Sequence, residues 1–131
     1  MESYDSDDVQ AFLTSFAVAT STGDLDAIAE SYAFPALVVS GSGSEAVGEP
    51  ETVRDAAQTA ARGMRERGLV AAAALVEDVA EVGDSLVWAR VRWSYRDENA
   101  NERESGTARY LLRRARSTFE VCVEVRADDD R

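Results

Sequence analysis

The sequence predicts an α+β domain in which three N-terminal helices cover one face of a mainly antiparallel sheet. Three observations carry this reading. The chain has 131 residues, 45% hydrophobic and 30% charged, which is the length and apolar content of one globular core. Apolar residues recur at helical spacing through the first half, up to Gly68. From Leu69 onward the period changes to two, and turn signals divide the remainder into four strands.

The first helix opens at Ser6, an N-cap residue followed by Asp7 and Asp8. Val9, Phe12, Leu13, Phe16, Ala17 and Thr20 then give it one broad apolar face. Ser21-Thr22-Gly23 interrupts it, and Leu25, Ile28, Ala29 and Tyr32 repeat the spacing over a shorter second helix that ends before Pro35. Residues 36–40 read as a short, fully buried strand, 41–44 as a turn and 45–48 as another extended piece. Pro50 stands at the first position of a third helix that closes at Gly68. Its narrow face of Val53, Ala56, Ala57, Ala60 and Met64 predicts close packing on whatever it covers, while Glu51, Arg54, Asp55, Arg62, Arg65 and Glu66 form a solvated side.

Turns at residues 82–85, 97–104 and 114–117 make the rest an antiparallel meander. With Val76 opposite Val91, Val91 opposite Tyr110 and Tyr110 opposite Val121, the side chains sort onto two faces. The inner face runs from Ala72, Ala74 and Val76 through Asp78, Trp93, Tyr95 and Tyr110 to Val121, Val123 and Val125, and is apolar enough to require cover by the helices. The outer face carries Trp88, Arg90, Arg92, Arg109, Leu111 and Arg113 among Glu77, Val79, Glu120, Cys122 and Glu124. Its interleaved charges predict cross-strand ion pairs, Glu77 with Arg90 in particular. Trp88, Arg90, Arg92, Leu111 and Cys122 together suit the interface of a homodimer better than open water.

Composition narrows the chemistry. Asp and Glu number 25 against 14 basic residues, a net charge of −11 that repels phosphate backbones and anionic lipid heads, so neither nucleic acid nor a membrane surface is expected as a partner. The first residues are acidic where a secretory signal would be basic and then apolar, which leads us to expect a cytoplasmic protein. There is no histidine and no lysine, which removes the commonest metal ligand, the commonest general base and Schiff-base chemistry; no metal and no cofactor are expected. Cys122 is the sole cysteine, a weak candidate nucleophile without a histidine beside it.

The element order resembles the NTF2-like, or SnoaL-like, superfamily over essentially the whole chain. The resemblance rests on Phe12-Leu13-Thr14-Ser15-Phe16, on Gly23-Asp24-Leu25-Asp26-Ala27-Ile28, on Tyr32 with Pro35, on Asp78-Val79 with Gly83-Asp84, on the strand from Val87 to Tyr95, and on Arg109-Tyr110-Leu111-Leu112-Arg113-Arg114. It implies a cone-shaped α+β barrel with a pocket at its open end and dimerisation through the sheet. Members include isomerases, cyclases, dehydratases, epoxide hydrolases and pure binding modules, so fold alone selects none of these. An isomerase-like site would place a carboxylate at Ser40 and a tyrosine where Phe12 and Phe16 stand, histidine-dependent sites have no histidine, and the epoxide-hydrolase pattern of two acids bridged by arginine is missing from the inner face.

Three readings therefore stand. The first is a binding or accessory module whose cone takes a small hydrophobic or aromatic ligand against Phe12, Phe16, Tyr32, Trp93, Tyr95 and Tyr110, with alanines on the third helix and on the sheet leaving room for it. The second is an enzyme of isomerase, cyclase or dehydratase type using Asp78 with Tyr110 or Tyr95 as an acid–base pair. The third is a dimerisation domain with a filled cone.

Overall fold

A computed structural model describes residues 6–115 and 117–127. The sequence leads us to expect frayed acidic ends near residues 1–5 and 127–131, and these lie outside the described residues except for Ala127, as does Arg116 of the turn expected at 114–117. Helix α1 (Ser6–Thr22) buries Val9, Phe12, Leu13, Phe16 and Ala17 as its spacing requires. Gly23, at φ 72°, turns the chain so that the Asp24 N–H reaches the Ala19 carbonyl at 3.0 Å. Asp24 then caps α2 (Leu25–Glu30), its carboxylate accepting from the Ala27 N–H at 3.1 Å.

The second helix ends at Glu30, short of Tyr32, which instead opens strand β1 (Tyr32–Ser40), with Pro35 inside it. This strand is not fully buried. Ala33 and Ala36 are covered, but Leu37 is 39% exposed, because it lies on the sheet face that bears no helix. A two-residue turn leads to β2 (Gly43–Val47), and α3 (Pro50–Glu66) follows, with Pro50 at its start. Gly68, at φ 77°, closes α3 with the Leu69 N–H on the Met64 carbonyl at 2.9 Å. Strands β3 (Ala71–Glu81), β4 (Leu86–Arg96), β5 (Glu102–Ala115) and β6 (Thr118–Arg126) complete the chain.

Among the described residues the six strands form one sheet in the order β2-β1-β6-β5-β4-β3. All neighbours are antiparallel except β1 and β6, which run parallel. The sheet does not close on itself, so the helices supply the remaining wall of the cone. Helix α1 lies along the edge strand β3 and occupies its outward backbone groups. Gln10 donates to the Ala74 carbonyl and accepts from the Val76 N–H, both at 2.9 Å, and the Ser21 hydroxyl accepts from the Ala72 N–H at 2.9 Å.

Two β-bulges change which residues face inward. On β3, Val76 pairs with Val91 as expected, but the next pair is Asp78 with Arg90, so Glu77 and Asp78 together oppose one residue. Asp78 is thereby exposed on the outer face, and Val79, expected outside, packs against the core. On β6, Leu112 pairs with Val121 and Leu111 with Val123, so Cys122 is the extra residue. Beyond it the alternation inverts. Glu124, assigned to the outer face by its sequence parity, is 6% exposed in the interior, while Val123 and Val125 turn outward. The β4–β5 register is Val91 with Ala108, two residues from the expected pairing, which leaves the faces unchanged.

The expectation of close packing by α3 also fails. This helix packs on α2 and stands off the sheet, so Ala56 and Ala60 remain exposed on its apolar side, and only Val53 and Met64 are buried.

Candidate functional site

The gap between α3 and the sheet is a cavity of about 530 Å³. Alanines make it: Ala56, Ala57 and Ala60 supply one wall with almost no side chain to fill the space, and Phe16, Trp93 and Tyr110 face them from α1, β4 and β5. Phe16 holds the aromatic wall together. Its ring meets those of Tyr32, Trp93 and Tyr110 edge-on, with centroids 5.9, 5.8 and 6.2 Å away.

A connected set of polar groups gathers in the cavity where β1, β5 and β6 meet. The Tyr32 hydroxyl donates to Oε1 of Glu124 at 2.6 Å, and Nε of Arg126 donates to Oε2 at 2.7 Å. The carboxylate is buried, whereas the Arg126 side chain is 60% exposed at the cavity rim, so a charge at the rim balances one in the interior. On the neighbouring strands, Nε1 of Trp93 donates to the Tyr110 hydroxyl at 2.9 Å, and the Tyr95 ring stacks beside Trp93. Burial first, and the Glu124 charge second, hold the phenol protons of Tyr32 and Tyr110 well above the usual tyrosine range; Tyr95 is raised for the same reasons. All three remain neutral hydrogen-bonding groups at ordinary pH. The arrangement is an aromatic chamber with one buried, charge-compensated carboxylate and phenols beside it, and with Glu45 and Glu104 also in its lining.

Of the residues expected to line a pocket, Phe16, Tyr32, Trp93, Tyr95 and Tyr110 all do so, Tyr32 from β1 rather than from the second helix. Phe12 does not. It is buried against Phe16 and Phe119, at ring distances of 6.4 and 6.1 Å, inside the core. Asp78 cannot pair with Tyr110 or Tyr95, because its bulge points it away from the cavity. The consecutive acids Glu77-Asp78 are a break in alternation that marks that bulge. Nothing comparable marks the second one, since Phe119, Val121, Val123 and Val125 alternate without interruption, and for that reason Glu124 and Arg126 were missed.

The outer-face candidates Trp88, Arg90, Arg92, Leu111 and Cys122 lie on the uncovered side of the sheet. Arg90 pairs with Glu77 at 3.4 Å, Arg92 with Glu102 at 2.7 Å and Arg113 with Glu120 at 3.0 Å. Burial raises the Cys122 thiol above its ordinary value, the opposite of what a nucleophile requires. Among the described residues no cluster of three or more His, Cys, Asp or Glu side chains could hold a metal ion, and no helix is long and apolar enough to cross a membrane.

This fold, a cone-shaped cavity between helices and an open sheet, places the molecule among NTF2-like proteins. The chain belongs to the family described as NTF2-like protein (DUF6841), whose model matches residues 6–129. No curated protein matches the sequence. Among solved structures it is similar to a domain of unknown function with a cystatin-like fold from Nostoc punctiforme, at 13% identity and a TM-score of 0.76, covering 100% of this chain and 81% of that one. Aln2 from a Streptomyces species matches at 18% identity and a TM-score of 0.75, covering 95% and 91%. A ketosteroid isomerase-like protein from Erwinia carotovora matches at 9% identity and a TM-score of 0.64, covering 95% and 96%. At such identities the likeness is one of fold.

Proposed function

We propose that this NTF2-like protein binds a small, largely apolar, ring-containing molecule in its cone. The observation that carries the reading is the cavity of about 530 Å³, walled by alanines on one side and aromatic rings on the other. A volume of this kind is of the order that small ligands occupy, and a connected set of polar groups, Tyr32, Glu124 and Arg126, stands at one side of it. The test is to fill it. Ala60→Trp projects an indole into the space from an exposed helix position, so the fold, checked by circular dichroism, is expected to survive. An aromatic probe such as 1-indanone should raise the melting temperature of the native protein and leave that of the variant unchanged. Equal stabilisation of both would mean that the probe binds elsewhere.

A second reading has an observation of its own. Glu124 supplies the interior carboxylate that Asp78 does not, and Tyr110 stands beside it in the same cavity, which is the equipment for removing a proton next to a carbonyl. Deuterium exchange into the methylene next to the carbonyl of 1-indanone, followed by NMR, tests it. Exchange that is accelerated by the protein and abolished in Glu124→Gln would make it an enzyme.

We also infer that a second copy covers the outer sheet face. The bulges turn Val123 and Val125 outward beside Leu37, Val39 and Leu111, so this face is more apolar than the regular alternation implied. Arg90→Glu should then weaken a dimer in sedimentation; an unaltered dimer would count against this face.

A further inference from the structure

We infer that the Trp93–Tyr110 pair makes the cavity select a neutral ligand carrying a hydrogen-bond acceptor, a carbonyl oxygen above all; this rests on the cavity being a ligand site. An indole N–H can only donate, so its bond to Tyr110 occupies the acceptor side of that hydroxyl. The Tyr110 proton must therefore point elsewhere. Tyr110 is 2% exposed and lines the cavity, and among the described residues its hydroxyl has no partner other than Trp93. A buried donor without an acceptor is unfavourable, and the side from which an acceptor can approach is the cavity.

Of the fully buried polar side chains in the lining the others are already engaged, and Tyr95, which also lines the cavity, is only half-buried. The Tyr32 proton is committed to Glu124, and both carboxylate oxygens have donors. Because Arg126 balances Glu124, the interior does not require a cationic ligand, and with Glu45 and Glu104 also in the lining the cavity disfavours an anionic one. Tyr110 is thus the fully buried donor that reads the polar end of the ligand. Trp93 acts as a positioning residue that keeps it a donor.

The experiment compares three probes of one shape, indane, 1-indanone and 1-aminoindane, by titration calorimetry on the full chain. The informative quantity is the ratio of 1-indanone to indane affinity, which cancels their common apolar contact. Removing one neutral hydrogen bond in Tyr110→Phe should lower that ratio about tenfold while indane affinity holds. Trp93→Phe, which frees the hydroxyl to rotate, should lower it several-fold and decides the matter should Tyr110→Phe not fold. An unchanged ratio in folded variants overturns the inference but leaves the cavity a binding site. Tighter binding of 1-aminoindane than of 1-indanone to the native protein overturns it in favour of Glu124 recognising a cation. If even indane fails to bind, the cavity reading falls with it.

Discussion

Replacing Tyr32 by phenylalanine tests the interior placement of Glu124 most directly. The change removes one hydroxyl and keeps the ring that packs on Phe16, so the lost interaction is the 2.6 Å hydrogen bond to Oε1. A hydrogen bond to a buried charged group contributes about 1.5–3 kcal/mol, and we take about 2 kcal/mol because Arg126 still holds the other oxygen. For a chain of this length that corresponds to a fall in melting temperature of about 7 °C. In a Glu124→Gln background the same substitution removes only a neutral hydrogen bond, roughly half as strong, so the double-mutant cycle should show a coupling of about 1 kcal/mol. Urea denaturation of the four proteins at pH 7, followed by circular dichroism, measures it. A coupling below about 0.3 kcal/mol would be that of a solvated pair, and would mean that β6 alternates regularly and Glu124 faces water.

Alkaline pH should destabilise the protein through the same residues. Tyr32 and Tyr110 hold their protons in the folded state beyond the ordinary value of 10.0, at which the unfolded chain releases them. Their contribution is therefore fully present below about pH 10 and is lost as the pH rises further, by up to about 1.4 kcal/mol per pH unit for each phenol. Stability measured between pH 9 and 11.5 should fall less steeply in Tyr32→Phe and in Tyr110→Phe; an unaltered slope would contradict their burial. Gln10→Ala removes two of the hydrogen bonds that tie α1 to the β3 edge, leaving those of Ser21, and should cost about 1–2 kcal/mol. Hydrogen exchange should quicken at the Val76 amide, and uniform quickening across the sheet would refute the local role. Gly68→Ala forces a side chain into φ 77° and should cost about 1 kcal/mol in denaturant titration, with no effect on probe binding.

The helices were legible in the sequence because their signals are local. The glycines at 23 and 68 and the proline at 50 each act within one turn of the chain, and each stands where its spacing implied. The turn read at 97–104 is present but gives way to β5 at Glu102, while the one at residues 82–85 was as plain as the helices. So were the aromatic positions Phe16, Trp93, Tyr95 and Tyr110, since two-residue and helical periods both directed them inward. The end of α2 was not, because the 3.6-residue spacing of Tyr32 continues past the point where the backbone leaves the helix.

By itself, then, the sequence determined the class of fold, the element order, the net charge of −11 and the aromatic wall of the cone. Tertiary structure alone decided the polar chemistry. One extra residue in β3 expels Asp78 and one in β6 admits Glu124, because each strand must bend to wrap the helices and a bulge bends it at the cost of inverting every side chain beyond. Whether the cone is open was likewise undecided in one dimension. The small face of α3, read from the sequence as a close-packing face, also permits the helix to stand off. Only the distance set by α2 and the bulk of Phe16, Trp93 and Tyr110 across the gap leaves its alanines facing a cavity rather than a core.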